Sequence, residues 1–121
     1  MTTRRGRTQT CDRTHARTRL DHAKKSLSVA AALAVLSGIA AADAACCAAL
    51  GRRSRGDDHR QAVALLGEIV DSDRAAKALI ELLNLKDTAQ YGLIPITRRE
   101  LTTALRRAKA LLDFADGTLR R

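Results

Sequence analysis

Residues 26–50 read SLSVAAALAVLSGIAAADAACCAAL, and this stretch decides the fold class. Alanine and leucine dominate it, both have high helix propensity, and no proline interrupts it. Its larger apolar side chains recur at alternating spacings of four and three, which is the period of one helix face. This predicts a bundle helix with a buried seam of Val29, Leu33, Leu36, Ala40, Asp43, Cys47 and Leu50.

The same stretch has two other interpretations, a secretory signal peptide and a weak membrane span. Lys24 and Lys25 precede the apolar run, and the small residues AADAA follow it. This arrangement would suit a signal peptide or a weak membrane span. The helix surface outside the seam is mostly alanine and serine, which makes a poor lipid contact. A bundle helix is therefore favoured, and we expect a cytoplasmic protein with no membrane partner. An exported protein with residues 1–45 as its signal is the alternative.

The rest of the chain continues the helical pattern. A short helix is expected over residues 14–25, and Gly51 is expected to cap the helix that ends at Leu50. Asp57 or Asp58 would cap a helix of residues 59–70 whose buried residues are Ala62, Val63, Leu66, Ile69 and Val70.

Two further helices complete the predicted bundle. One starts at an Asp/Ser cap near residue 71, buries Ala75, Leu79, Leu82 and Leu83, and is broken by Gly92 and Pro95. Thr97 and Glu100 form the capping box of the last helix, which would end near Gly117. Its apolar positions are Leu101, Ala104, Leu105, Ala108, Leu112 and Ala115. We predict an all-α, four- to five-helix up-and-down bundle.

The basic charge is concentrated at the start of the chain. Residues 1–25 hold eight Lys/Arg against two Asp, whereas the remaining residues hold fourteen against eleven Asp/Glu, so +6 of the net +9 lies in the first part. We expect residues 1–13 to be a disordered basic tail and residues 14–121 to form the bundle. A basic surface favours anionic partners such as RNA, DNA or anionic lipid.

Cysteine and histidine usage predicts neither disulfides nor a metal site. Cys11, Cys46 and Cys47 form no CxxC pair, and the adjacent pair inside an apolar run is expected to act as small buried hydrophobes in a reducing cytoplasm. The three histidines have no ligand spacing, so we expect no metal and no cofactor.

The segment GRRSRGDDH, residues 51–59, holds the residues that could carry chemistry. His59 lies four positions before Val63, so it shares the buried face of its helix. Asp43 lies on the predicted seam, and the arginines after Leu50 are within reach of it. An interior carboxylate must be paired or hydrogen-bonded. The structural interpretation is an Asp–Arg pair with a histidine that caps its helix.

The spacing in this segment resembles the signature of HEPN domains, an arginine followed after four to six residues by a histidine. Five residues separate Arg53 from His59, and six separate Arg52 from it. The stretch LKDTAQYGLIPITRRELTTALRRAKALLDF is also similar to the end of many HEPN chains, and GIAAADAACCAALGRRSRGDDH looks like the helix and motif loop of small actinobacterial members. The resemblance covers about residues 27–116. Which of Arg52, Arg53 and Arg55 is the motif arginine stays open.

The resemblance implies a bundle that usually dimerises and places two motif loops in one cleft. Active members are metal-independent endoribonucleases, often the toxin of a toxin–antitoxin pair, and inactive members bind nucleotides or proteins. His59 would be the base or acid, Arg52 or Arg53 the phosphate clamp, and Asp43 the group that orients one of them. We therefore expect RNA or a nucleotide as ligand, a homodimer and a possible antitoxin partner.

Two positions depart from the family pattern. Gln61 stands where many toxins of this kind have a tyrosine, and Lys86 stands where relatives often have arginine. The alternative function is a non-catalytic helical interaction protein or antitoxin-like regulator whose basic tail binds nucleic acid.

Overall fold

The computed structural model describes residues 7–55, 59–91 and 96–121, with the backbone alone for residues 87–91. These residues form four helices and no strand: α1 (Arg13–Leu50), α2 (His59–Gly67), α3 (Asp73–Tyr91) and α4 (Arg98–Leu119). Helix α1 packs against all three others, and α3 also packs against α2 and α4. The prediction of an all-α helical bundle is confirmed, with four helices.

Local sequence signals set the helix ends. Gly51 ends α1 in the left-handed conformation at φ 70°, and its N–H donates to the Cys47 carbonyl at 3.1 Å. The predicted capping box of α4 is present, since the Thr97 hydroxyl accepts from the Glu100 N–H at 3.1 Å and the Glu100 carboxylate accepts from the Thr97 N–H at 3.0 Å. The predicted cap at Asp57 or Asp58 and the breaks at Gly92 and Pro95 lie outside the described residues.

Helix α1 is longer than the sequence predicted. The two expected helices, 14–25 and 26–50, are one continuous helix of 38 residues, about 57 Å long. Asp12 caps it by accepting from the His15 N–H at 2.9 Å. Every residue of 13–26 is exposed. Residues 13–25, here called the basic arm, are therefore a continuous helical extension of α1 beyond the bundle, while residues 7–12 form no regular structure.

The predicted seam of α1 is wrong, because the opposite face is buried. Val29, Leu33 and Leu36 are 59%, 61% and 55% exposed. Of the other predicted seam residues, Ala40 and Cys47 are exposed, and Asp43 and Leu50 are half-buried. The buried residues of α1 are Ala31, Ala34, Val35, Gly38, Ala41, Ala42, Ala45 and Cys46. Small side chains thus line the interior face, and large ones face solvent.

Close helix packing explains this choice of face. A Cβ added at Gly38 would collide with Cδ1 of Leu82 and lie 3.1 Å from Cδ1 of Leu111. The largest fully buried side chains are, apart from Val35, supplied by the other helices, as Leu66, Leu79, Leu82 and Leu111. Because α1 contacts three helices at once, only a face of small residues lets these leucines fill the space between them.

The other helices bear out part of the predicted core. Helix α2 ends at Gly67, so Val70 lies beyond it and is 71% exposed, while Leu65 is buried instead. In α4, Leu105 and Leu112 are exposed and Leu111 is fully buried. The predicted core residues that are buried are Ala62, Leu66, Ile69, Ala75, Leu79, Leu82, Ala104, Ala108 and Ala115, and Val63 and Leu83 are partly buried.

Helix α1 is the one helix, in the part of the chain that the structure describes, whose length and composition would allow it to cross a membrane. Core helices of soluble proteins and signal sequences share these properties.

Candidate functional site

A polar contact between two helices joins the start of α2 to the end of α3. His59 is the first residue of α2 and is half-buried, and Lys86 lies near the end of α3. The Lys86 Nζ is 2.8 Å from Nε2 of His59. An ammonium group has donors only, so Nε2 must be the acceptor, and the imidazole is then neutral with its proton on Nδ1. The contact therefore fixes the tautomer of His59.

Two of the three loop arginines, Arg52 and Arg53, pair with carboxylates, and Arg55 is exposed. One guanidinium nitrogen of Arg52 donates to Glu68 Oε1 at 2.9 Å. Arg53 Nη1 lies 3.7 Å from Asp43 Oδ2, which is an ion pair but too long for a hydrogen bond. Both arginine side chains are 60% exposed, whereas Asp43 is 27% exposed. The predicted pairing of Asp43 with an arginine after Leu50 is present, but at the edge of the bundle instead of in its interior.

Neither pair includes His59. Glu68, the partner of Arg52, directly follows the last residue of α2, whereas His59 is the first, so the backbone positions of Glu68 and His59 are about 13 Å apart along the helix axis. Among the described residues, no hydrogen bond or ion pair joins His59 to Arg52 or Arg53. The structure brings together Asp43 with Arg53, and His59 with Lys86, as two separate pairs.

Lys86 is the site residue that sequence reasoning left without a role. Its signal in the sequence was its place at a position where HEPN relatives often have arginine. The partner His59 lies 27 positions earlier, so no local spacing could have joined the two. Ser54 in the loop also approaches α2, with its hydroxyl donating to Gln61 Oε1 at 3.4 Å.

The cysteines differ in their surroundings. Cys46 is buried and Cys47 is exposed, so the expectation that both are buried holds for Cys46 alone. Burial raises the pKa of the Cys46 thiol, and the nearby charges of Asp43 and Glu68 and the Cys47 thiol raise it further. Cys46 is therefore held as the neutral thiol. Within the described residues, no three His, Cys, Asp or Glu side chains are grouped to hold a metal ion.

The basic arm is the most strongly charged exposed surface near the start of the chain. Its five cationic residues are exposed along about four turns of helix: Arg13, Arg17, Arg19, Lys24 and Lys25. Asp21 is the one carboxylate among residues 13–25. A row of cationic side chains on an exposed helix makes an electropositive surface.

A pocket of about 410 Å³ opens between α3 and the first turns of α4. Its acidic side chains already have partners, because Glu81 pairs with Arg107 and Glu100 belongs to the capping box. The pocket is a groove between two helices whose charged groups serve the fold.

Comparison with known proteins identified no matching family model, no similar curated protein and no similar solved structure. The HEPN resemblance thus stays a prediction that rests on the sequence motifs.

Proposed function

We propose that the protein is a metal-independent endoribonuclease of the HEPN type that acts on RNA in the cytoplasm. The observation that carries this proposal is the contact between His59 and Lys86. It provides a neutral imidazole and an ammonium group side by side, half-exposed, at the start of a helix. A base for the 2′-hydroxyl and a cation for the phosphate are the two groups that such cleavage requires.

The reaction begins when a phosphate of the RNA takes the place of His59 as acceptor for Lys86. The Nε2 lone pair of His59 is then free to take the proton of the adjacent 2′-hydroxyl. The 2′-oxygen attacks phosphorus, and the bond from phosphorus to the 5′-oxygen breaks. A water molecule gives a proton to the leaving 5′-oxygen and takes the proton held on His59, so the 5′-hydroxyl forms and the imidazole is returned to its starting state. The products are a 2′,3′-cyclic phosphate and a 5′-hydroxyl, and Lys86 holds the negative charge of the transition state.

Arg52 and Arg53 bind phosphates that flank the scissile one. Both are 60% exposed and their carboxylate partners are at the surface, so RNA can exchange for Glu68 and Asp43 at small cost. Asp43 orients Arg53 before RNA arrives. The basic arm extends the electrostatic surface and increases the affinity for RNA of any sequence.

A second function, binding of RNA or a nucleotide without cleavage, is favoured by one observation. Arg52 and Arg53 pair with carboxylates and not with His59. Lys86 is then the cation that contacts His59. In that case the basic arm and the loop would hold nucleic acid, and His59 would serve as the cap of α2. A ribonuclease that acts on its own cell's RNA needs an inhibitor, so an antitoxin partner belongs to the catalytic proposal alone.

The test is a cleavage assay with a fluorescent single-stranded RNA in EDTA. Purified wild type is compared with His59→Ala and with Thr102→Ala, a change of an exposed polar residue on α4 that lies outside the proposed RNA-binding surface. We expect His59→Ala to lower the rate by about 100-fold or more, the usual contribution of a general acid or base, and Thr102→Ala to leave it unchanged. Equal rates for all three proteins, with RNA still bound, would establish the binding function instead.

A further inference from the structure

The solvent face of α1 carries an apolar row that the bundle leaves uncovered. Val29, Leu33 and Leu36 are each more than half exposed, and the exposed Ala40 continues the line. These four residues are here called the outer stripe. No charged residue occurs between positions 26 and 42. A row of large apolar side chains along one exposed helix face marks an interaction surface.

The basic arm directly precedes the outer stripe on the same helix. Its five Lys/Arg and one Asp give residues 13–42 a net charge of +4. Arg19 and Lys25 lie about 40° and 80° round the helix from Leu33, so they border the line of the stripe. Asp21 lies about 120° from Leu33 and therefore well off that line. Cations thus continue the exposed apolar face toward the start of α1.

The partner of this face must offer apolar contact at one end and negative charge at the other. Residues 13–40 belong to one continuous helix and extend over about 42 Å, so a flat surface that meets the outer stripe also runs beside the basic arm. The phosphates of RNA would pair with the arm but would leave Val29, Leu33 and Leu36 in water. An anionic bilayer offers both contacts, because acyl chains lie directly beneath its charged headgroups.

We propose that the outer stripe and the basic arm dock α1 on the surface of an anionic lipid bilayer, with the helix axis parallel to the membrane. Val29, Leu33 and Leu36 enter the boundary between headgroups and acyl chains, and Arg19 and Lys25 contact lipid phosphates. The eight buried residues of α1 stay in the bundle, so the helix lies on the membrane and does not cross it.

The exposed seam removes the reason for expecting no membrane partner. That expectation rests on a helix whose valine and leucine side chains are buried and whose remaining surface is alanine and serine. The outer stripe instead presents Val29, Leu33 and Leu36 to the surroundings. The proposed docking does not depend on RNA cleavage, so the two proposals can fail separately.

Docking requires the stripe and the arm together. A few partly exposed apolar side chains insert weakly, and each cation near an anionic leaflet raises the affinity by about 5-fold. The two contributions act on one helix and therefore multiply. We expect reversible association with anionic vesicles and little association with neutral ones.

Vesicle flotation tests the apolar contact. The full-length protein is mixed, without RNA, with vesicles of phosphatidylcholine and phosphatidylglycerol in equal parts. Leu33→Asp should lower the ratio of bound to free protein by about 10-fold or more, because it removes an inserted side chain and adds a negative charge. Val70→Asp makes the same charge change at a residue that is 71% exposed beyond the end of α2, and it should change the ratio by less than about 2-fold. Circular dichroism should show equal helix content.

The same assay tests the charged contact. Arg19→Gln combined with Lys25→Gln should lower the ratio by about 25-fold, which is about 5-fold for each cation. Arg120→Gln combined with Arg121→Gln removes the same charge from the exposed end of the chain and should have a smaller effect. Wild-type flotation that is equally strong with pure phosphatidylcholine would overturn the role of the basic arm.

A single tryptophan reports whether the stripe inserts. The sequence has no tryptophan, so Leu36→Trp introduces one fluorophore, and Val70→Trp is the control. The emission of Leu36→Trp should shift to the blue when anionic vesicles are added, and that of Val70→Trp should not.

Three results would overturn the proposal. The first is a wild type that does not float with anionic vesicles. The second is flotation that persists in Leu33→Asp without a spectral shift in Leu36→Trp, which would show that the basic arm alone binds phosphate. The third is a wild type that does not float but forms a dimer that Leu33→Asp dissociates, which would identify a second copy of the chain as the occupant of the stripe.

Discussion

The Nζ atom of Lys86 lies 2.8 Å from Nε2 of His59, and this contact ties the end of α3 to the start of α2. It gives His59 a defined tautomer and places a cation next to the nitrogen that would take a proton. In the proposed reaction Lys86 moves from His59 to the RNA phosphate, so binding of the substrate also frees the base. Lys86 is then a catalytic residue, because it touches the reacting phosphate.

Replacing Lys86 by Met keeps the length of the side chain and removes the ammonium group. We expect cleavage of RNA to slow by about 10- to 100-fold, the value of one hydrogen bond to a charged group, and Lys86→Arg to restore part of it. The exposed Lys77 on the same helix provides the matched control, Lys77→Met. Nitrogen-15 NMR of His59 should show the Nδ1–H tautomer in wild type and a loss of that preference in Lys86→Met. An unchanged tautomer would contradict the contact.

Gly38 and Gly117 should respond to alanine with opposite signs. Gly38→Ala would force Leu82 and Leu111 out of a packed core, and we expect a net loss of about 1–2 kcal/mol in the free energy of unfolding. Gly117 lies in α4 with nothing within 4 Å of an added Cβ, so Gly117→Ala should gain about 0.5–1 kcal/mol of helix propensity. Urea unfolding measures both. A neutral Gly38→Ala would show that α1 does not approach these leucines closely.

Asp43 should contribute little to stability. Its partner Arg53 is 60% exposed and 3.7 Å away, so Asp43→Ala should cost less than about 1 kcal/mol, far below the cost of breaking an interior ion pair. Thermal unfolding of wild type and Asp43→Ala at the same protein concentration measures the difference. Asp21→Ala on the same helix is the control, whereas Asp71, at φ 60°, is unsuitable because alanine would be strained there. A loss above 3 kcal/mol would contradict a solvated pair.

Cys46 should be the slowest thiol to alkylate and should weaken the fold in alkali. Because burial raises the pKa of the Cys46 thiol in the folded state, the unfolded chain loses this proton first as pH rises. The stability of wild type relative to Cys46→Ala should thus be constant below about pH 8 and fall above the ordinary thiol pKa of about 8.5. Urea unfolding from pH 7 to 10 measures the difference, and Cys47→Ala is the control. A difference independent of pH would contradict the raised pKa.

Local signals in the sequence predicted two of the helix ends, the end of α1 and the start of α4. The capping box at Thr97 and Glu100 and the left-handed cap at Gly51 depend on residues that are close in the chain, so their geometry follows from sequence alone. The fold class followed from the same helical period.

Local signals could not predict which face of α1 is buried. The helix is apolar on two faces, and the rule that large side chains are buried selected the wrong one. The right face was decided by the approach of Leu82 and Leu111 to Gly38, which depends on tertiary packing. Only part of the site could be predicted. The pair of Asp43 and Arg53 was expected because the two residues are near in sequence. The contact of Lys86 with His59 joins two helices, so it depends on tertiary packing.

The end groups of the RNA fragments test the central claim most directly. Wild-type protein is incubated with a single-stranded RNA in EDTA, and the fragments are analysed by mass spectrometry, with His59→Ala as the control. If His59 takes the 2′-hydroxyl proton while Lys86 holds the phosphate, the fragments will end in 2′,3′-cyclic phosphate and begin with 5′-hydroxyl, and His59→Ala will yield about 100-fold fewer of them. Fragments with 3′-hydroxyl ends, or equal amounts from wild type and His59→Ala, would contradict it.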